Sequence, residues 1–229
     1  MLAVTNEWIP ISRRLVQNGF IKCRYFCHPV RPNNPTTTSA DSQAWYRNDP
    51  QALARWLDVS VIKRRGKVYE ADAKLIPVQD DMFKFPSVEG TTLKGADVKF
   101  PDSVDAKAKF ICFSFKAFGF HLIRSWVEPF IKEFPRVENP SVKMIEISFV
   151  EFGFLSLAKN VFISNLKTKV AESQQDLTLV SFGNLMRFAS ILELPNKYTG
   201  YAYLLDSQNR VRWRATGTAN PHELQGIFA

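Results

Sequence analysis

Cysteines are the side chains of this sequence best suited to redox or metal chemistry. There are three, Cys23, Cys27 and Cys112, which are too few for a disulfide scaffold and favour a reducing compartment. Cys23 and Cys27, with His28 beside them, could supply zinc ligands, but the two remaining histidines are isolated and form no second pair. We therefore expect no disulfide, no bound metal and no cofactor.

The other groups that could carry a reaction are also isolated. Asp80 and Asp81 form a carboxylate pair in a loop-like stretch without a partner base, which is typical of a solvated surface. Glycine occurs singly, so no phosphate-binding loop is present, and no serine sits in a nucleophile elbow. The sequence predicts a protein that is not an enzyme and has no small-molecule substrate.

Composition and charge indicate a folded protein with an acidic partner. The 229 residues are 45% hydrophobic and include 19 phenylalanines, enough for a bulky core. The formal charge is +8 and the pI about 9.4. Lys63, Arg64, Arg65 and Lys67 form a basic cluster, and we expect it to be solvated or to contact a partner. The sequence contains no run of about 20 apolar residues, the length needed to cross a bilayer. It also contains no RNA-recognition motif that would support binding to nucleic acid.

The chain is expected to divide into residues 1–78, an extended N-terminal arm, and residues 79–229, a folded domain. The arm is basic at its start, as targeting segments are, contains a Pro/Asn/Thr-rich linker at 31–40, and has a short helix at 50–59 that Asp49 and Pro50 begin.

In the domain, strands alternate with helices, which predicts an α/β sandwich with a mixed sheet. The run at 109–115 is apolar on both faces, as in a central strand. Glu89-Gly90 predicts the turn of a hairpin, and Asn220, Pro221 and Glu223 predict a capping box that starts a final helix. Further expected strands are 142–150, 177–182, 201–206 and 211–216; further helices are 121–134, a segment ending near Leu166, and 185–194.

This order of elements is that of the thioredoxin fold, in which a thiolate sits at the N-terminus of the helix after the central strand. Thioredoxins place their cysteines eight and five residues before a proline in that helix. Counting back from Pro129 gives His121 and Arg124, and Cys112 lies upstream on the predicted strand. We therefore expect the scaffold without its redox site.

Residues 196–224 strongly resemble the C-terminal motif of the mitochondrial ATP synthase assembly factor ten family, and residues 82–95 resemble the family's entry hairpin. The motif combines an Asn, a Gly-Tyr-x-x-Leu-x-Asp run, an Arg-Trp pair and a Gly. The positions that match it are Asn196, Gly200, Tyr201, Leu204, Asp206, Arg212, Trp213 and Gly217.

The resemblance implies a thioredoxin-like fold, a mitochondrial location on the matrix side of the inner membrane, and no catalytic residues. Members are thought to hold the mitochondrially encoded proton-channel subunit until it joins the membrane ring. We expect a non-catalytic assembly factor or accessory subunit that binds membrane-sector subunits of the ATP synthase. Alternatives are a divergent thioredoxin- or peroxiredoxin-like oxidoreductase and a structural subunit of another mitochondrial assembly.

The Arg-Trp hairpin also predicts an orientation of side chains. Because neighbours on a strand point to opposite faces, Val211 and Trp213 are expected to face the core. Arg212 and Arg214 are expected to face outward, where they would contact a partner together with the basic residues at 63–65.

Overall fold

The computed structural model describes residues 50–71, 74–79, 82–135, 141–150, 159–182 and 185–228. The predicted linker at 31–40, Cys23, Cys27, Asp49 and the Asp80–Asp81 pair lie outside these ranges. The described residues form these helices and strands, numbered along the chain: α1 Pro50–Trp56, β1 Val88–Thr92, β2 Asp97–Phe100, β3 Ala108–Ser114, α2 Ala117–Glu133, β4 Val142–Phe149, α3 Lys159–Lys167, β5 Thr178–Ser181, α4 Leu185–Ile191, β6 Gly200–Asp206, β7 Val211–Thr216 and α5 Pro221–Phe228.

The seven strands make one mixed sheet in the order β2-β1-β5-β4-β3-β6-β7. Strands β3, β4 and β5 are parallel neighbours, β6 pairs antiparallel with β3, and β7 pairs antiparallel with β6. Helix α2 joins the parallel strands β3 and β4, as a parallel pair requires, and α5 follows β7. This arrangement of β3-α2-β4 and β6-β7-α5 is the thioredoxin-like core, so the predicted fold class is confirmed.

Strand β3 lies in the middle of the core, as its apolar sequence predicts. Six of its seven residues are buried. Phe113 faces one hydrophobic cluster, where its ring stacks on Tyr201 with centroids 5.0 Å apart. Phe110 faces the other cluster and stacks on Phe130 of α2 at 4.4 Å. The sheet is therefore packed on both faces.

A hairpin forms in this part of the chain, but the predicted position of its turn was wrong. Glu89 and Gly90 lie within β1, paired with residues of β2. The chain turns instead at Gly95, whose φ of +92° suits glycine. Gly90 has a different role, because a Cβ there would lie only 2.5 Å from the carbonyl oxygen of Val180 on β5. Close strand packing, not a turn, requires this glycine.

Helix α2 contains Pro129 as predicted, but it begins at Ala117, four residues before the expected start. Gly119 obscures this start in the sequence because glycine is a poor helix former. In the fold, a Cβ at Gly119 would lie 2.6 Å from the carbonyl oxygen of Thr199. This glycine therefore allows the first turn of α2 to approach the loop before β6.

Residues of the predicted arm pack against the domain. Trp56 at the end of α1 is 2% exposed, and its ring contacts Phe115 at 5.6 Å. Farther along, the N–H of Ile76 donates to the carbonyl of Arg212, and the N–H of Val211 donates to the carbonyl of Phe83. The outer edge of β7 is thus covered by residues that precede β1. The division of the chain at residue 78 stays a prediction, and these contacts define how to test it.

Candidate partner-binding surface

Residues 50–67, called the platform below, are held against the domain by the motif near the C-terminus. Asn196 is 3% exposed, and its side-chain amide donates to the carbonyls of Arg55 and Asp58, each at 2.8 Å. These bonds tie the Asn196 side chain to the last turn of α1 and to the residue that begins the next helical turn. The backbone N–H of Lys197 donates to the carbonyl of Trp56 at 3.1 Å.

Tyr201 fixes the position of Asn196. Its hydroxyl donates to the carbonyl of Asn196 at 2.6 Å and accepts the N–H of the same residue at 3.1 Å. Burial raises the pKa of the Tyr201 phenol well above its ordinary value. The neighbouring Gly200 lets α2 pack closely, because a Cβ there would lie 2.6 Å from Cγ2 of Ile123.

Two glycines bring the platform and the hairpin into direct backbone contact. Gly66 and Gly217 both have positive φ, +75° and +67°, and a Cβ on Gly217 would lie 2.5 Å from the carbonyl carbon of Gly66. The N–H of Thr218 donates to the carbonyl of Arg65 at 3.0 Å, and the hydroxyl of Thr199 donates to the carbonyl of Gly66 at 2.5 Å. Glycine is required here because no larger residue leaves the backbones this close.

A partly buried ion pair closes the end of the platform. Nζ of Lys67 lies 2.6 Å from both carboxylate oxygens of Glu223, which is 8% exposed. The same carboxylate accepts the N–H of Asn220 at 2.9 Å, while the Asn220 side chain accepts the N–H of Glu223 at 2.9 Å. The predicted capping box is confirmed, and its glutamate also holds the platform.

The remaining motif residues shape the hairpin itself. Asp206 accepts hydrogen bonds from the N–H groups of Gln208 and Arg210 and from Nε of Arg210, at 2.7–3.0 Å. Burial acts to raise the Asp206 pKa, but these donors outweigh it and the pKa is lowered. Trp213 is 1% exposed, with its ring 5.5 Å from that of Trp126.

Val211 and Trp213 are both buried in the core, as predicted, but the orientation along β7 differs from the prediction in two respects. The register shifts at Leu204–Leu205, so β7 carries a bulge between Val211 and Trp213. An extra residue reverses which side the next side chain faces, and the two apolar residues therefore enter opposite hydrophobic clusters. Arg212 and Arg214 are only half-exposed.

Nε of Arg212 donates to the carbonyl of Ile76 at 2.7 Å, and the guanidinium of Arg214 lies 5.7 Å from the Tyr69 ring centroid. Both arginines therefore contact the segment that covers the sheet edge, which the sequence-based orientation did not anticipate. Their role in partner binding stays a prediction.

Lys63, Arg64 and Arg65 of the predicted basic cluster are exposed, as expected, whereas Lys67 is half-buried in its ion pair with Glu223. Arg64 forms an ion pair with Asp58 at 3.5 Å, whereas Lys63 and Arg65 have no ion-pair partner among the described residues. Beside this cluster lies a feature that sequence reasoning missed: four exposed apolar side chains. They are Leu53, Leu57, Val59 and Ile62. The sequence feature that could have revealed these side chains is a short predicted helix with apolar residues on more than one side.

The position of a thioredoxin redox site carries no thiol. Because α2 begins at Ala117, its first turn comprises Ala117, Phe118, Gly119 and Phe120. His121 and Arg124 follow in the next turn, so counting back from Pro129 gave the wrong positions. The described residues contain no group of three or more His, Cys, Asp or Glu side chains that could hold a metal.

Below α2, Cys112 and Glu146 occupy paired positions on β3 and β4. Burial raises the pKa of the Cys112 thiol well above its ordinary value, and the neighbouring Glu146 charge adds to the effect. Burial also raises the Glu146 pKa, against the lowering influence of Arg124, whose Nη1 lies 3.6 Å from the carboxylate. A buried thiol with a raised pKa is protonated and a poor nucleophile.

The sheet topology and the first turn of α2 together define the class of protein: a thioredoxin-like domain without cysteines at the redox position. The chain belongs to the ATP10 protein family, whose sequence model matches residues 54–229. The predicted family resemblance is therefore confirmed, and the match includes most of the platform.

A curated relative, the mitochondrial ATPase complex subunit ATP10 of Candida glabrata, is 24% identical over 152 residues. The aligned region is 65% of this chain and 56% of the relative, so the chain spans a little over half the length of that protein.

Solved structures with similar folds include BsSco, a member of the Sco family of cytochrome c oxidase assembly proteins, with a TM-score of 0.42 and 12% identity over 64% of this chain and 90% of that one. Another is a putative protein disulfide isomerase from Bacteroides thetaiotaomicron, with a TM-score of 0.43 and 17% identity over 68% and 88%. In the described part of the chain, no helix has both the length and the hydropathy needed to cross a membrane.

Proposed function

We propose that this chain is a non-catalytic assembly factor or accessory subunit of the mitochondrial ATP synthase. It binds membrane-sector subunits and lies peripherally on the matrix side of the inner membrane. The observation that carries the proposal is family membership over residues 54–229, together with a relative named as a subunit of the mitochondrial ATPase complex.

The architecture supports a binding role. The residues that match the family motif hold the platform and shape the hairpin instead of converging on a reactive centre. Asn196, Gly217 and Glu223 each contact platform residues more than a hundred positions earlier in the chain. Motif residues that hold a surface in a fixed position suit a protein that binds a partner through that surface.

The partner-binding residues we propose are Lys63, Arg64 and Arg65 on the platform, with Arg212 and Arg214 on β7. The proposal follows from the basic charge of the chain, which favours an acidic partner. Because Arg212 and Arg214 also contact residues 69–76, their contribution to binding has to be measured beside their effect on stability.

The test is co-purification from detergent-solubilised mitochondria with a tagged, functional chain. We expect membrane-sector subunits in the eluate. Recovery at stoichiometric amounts with the mature enzyme would identify a permanent subunit, and recovery only with incomplete assemblies would identify a transient factor. An eluate without ATP synthase subunits, or with subunits of another mitochondrial assembly, would contradict the proposal.

The rival function is that of a thiol oxidoreductase, and the site disfavours it. The first turn of α2 has no cysteine, and Cys112 is fully buried. Purified protein should neither reduce insulin nor consume peroxide, and replacement of all three cysteines by serine should leave subunit binding intact. Thiol turnover that disappears in Cys112→Ser would establish the oxidoreductase function instead.

A further inference from the structure

The platform has a buried inner face and an exposed outer face. Ala52 and Trp56, one helical turn apart on α1, point into the domain, where they are 5% and 2% exposed. Val61 in the following 3-10 turn, Val59–Ile62, is fully buried. These residues fasten the inner face, so the outer face is held in a fixed orientation.

The outer face carries four large apolar side chains beside the polar Gln51 and Ser60. Leu53 and Leu57 lie four residues apart along one side, and Val59 and Ile62 lie three apart on the 3-10 turn, where such positions align. They are 37%, 43%, 58% and 39% exposed, in chain order, and they make up four of the seven exposed large apolar side chains among the described residues. A concentration of exposed apolar side chains within ten residues marks an interaction surface.

Basic residues follow this apolar stripe directly. The helical turn continues through Arg65, because the backbone N–H groups of Lys63, Arg64 and Arg65 donate to the carbonyls three residues before them. Within residues 50–67 there are five basic side chains and one acidic one, and the acid, Asp58, is already paired with Arg64. The outer face thus combines exposed apolar side chains with Lys63 and Arg65, which have no ion-pair partner in the described part of the chain.

We infer that this outer face docks the protein onto an anionic lipid bilayer. We define the lipid-docking face by Leu53, Leu57, Val59, Ile62, Lys63 and Arg65. Its apolar side chains stand out from a helix and a helical turn, an arrangement that inserts at the boundary between headgroups and acyl chains. The adjoining cations complement anionic headgroups. This inference deepens the proposed membrane-peripheral function and rests on it for its biological setting.

The first test is sedimentation of the purified chain, residues 1–229, with lipid vesicles. Vesicles of phosphatidylcholine with phosphatidylglycerol should carry the protein into the pellet, whereas phosphatidylcholine alone should not. Higher salt should weaken the binding, because screening reduces attraction between exposed charges.

Matched variants separate the contribution of the apolar side chains from that of the cations. Leu57→Ser with Val59→Ser removes apolar contact, and Leu75→Ser with Val161→Ser is its control, since those residues are similarly exposed at 45% and 62%.

Lys63→Gln with Arg65→Gln removes two charges, and Lys94→Gln with Lys107→Gln removes the same charge from other exposed positions. Each docking-face variant should bind anionic vesicles about tenfold more weakly than its control. Thermal melts check that all four proteins remain folded.

Binding by the docking-face variants equal to that of their controls would overturn the inference, as would no binding of the parent chain to anionic vesicles. Recovery of membrane-sector subunits in detergent, where no bilayer is present, reports the proposed function separately. The apolar variant is decisive here, because Leu57 and Val59 are not among the proposed partner-binding residues. If Leu57→Ser with Val59→Ser loses those subunits in detergent while it still binds vesicles, the face docks a protein and the lipid assignment is wrong.

Discussion

Gly217→Ala is the sharpest test of how the platform is held. Gly217 has a φ of +67°, and the added Cβ would lie 2.5 Å from the carbonyl carbon of Gly66 and 2.6 Å from the oxygen of Arg65 and the nitrogen of Lys67. All three atoms belong to the platform backbone, so no side-chain rotation relieves the clash. The platform must move away from the hairpin.

The expected loss has two parts. A non-glycine residue in the left-handed region costs roughly 1–2 kcal/mol. Displacement of the platform weakens the bond from Thr218 to Arg65 and the bond from Thr199 to Gly66, each worth about 1 kcal/mol. The variant should therefore lose about 3 kcal/mol of unfolding free energy, which for a chain of this size lowers Tm by about 6–12 °C.

Gly95→Ala is the matched control. Gly95 also has a positive φ, +92°, but an added Cβ would meet nothing within 4 Å. This variant should lose only the conformational part, roughly 1–2 kcal/mol. Denaturant unfolding followed by circular dichroism measures both, and trypsin cleavage after Arg64 or Arg65 should become faster only in Gly217→Ala. Equal losses in the two variants, with equal cleavage rates, would refute the claim that backbone contact holds the platform.

Three further outcomes follow from the same contacts. Trp213→Ala should cost roughly 3–5 kcal/mol, measured by denaturant unfolding, because it empties a fully buried site. Since burial raises the Glu146 pKa in the fold, the wild type should lose stability as pH rises from the ordinary glutamate range through that raised value. Glu146→Gln should not show this loss in melts across pH, and exposed Glu133→Gln should behave as the wild type. The sequence predicts that a fragment of residues 79–229 stays folded, whereas the platform contacts predict that it melts well below a fragment of residues 50–229, and calorimetry decides between them.

Local sequence patterns were sufficient for most elements of the domain. The apolar run of β3 predicted a central strand because a strand covered on both faces needs apolar side chains in succession. The capping box at Asn220 and Glu223 was predictable because its two bonds join residues only three positions apart. The turn of the first hairpin was not, since Gly90 and Gly95 are chemically identical and only their neighbours in space distinguish their roles.

The sequence by itself determined the class of protein: an α/β domain of thioredoxin-like order, without a cysteine before Pro129 in α2, and with the C-terminal motif of its family. Tertiary structure alone decided what that motif does. Asn196 and Glu223 hold platform residues 141 and 156 positions earlier in the chain, and the bulge in β7 sends Val211 and Trp213 to opposite faces. Such contacts leave no periodic signal in the sequence, because they depend on which distant segments the completed sheet brings together.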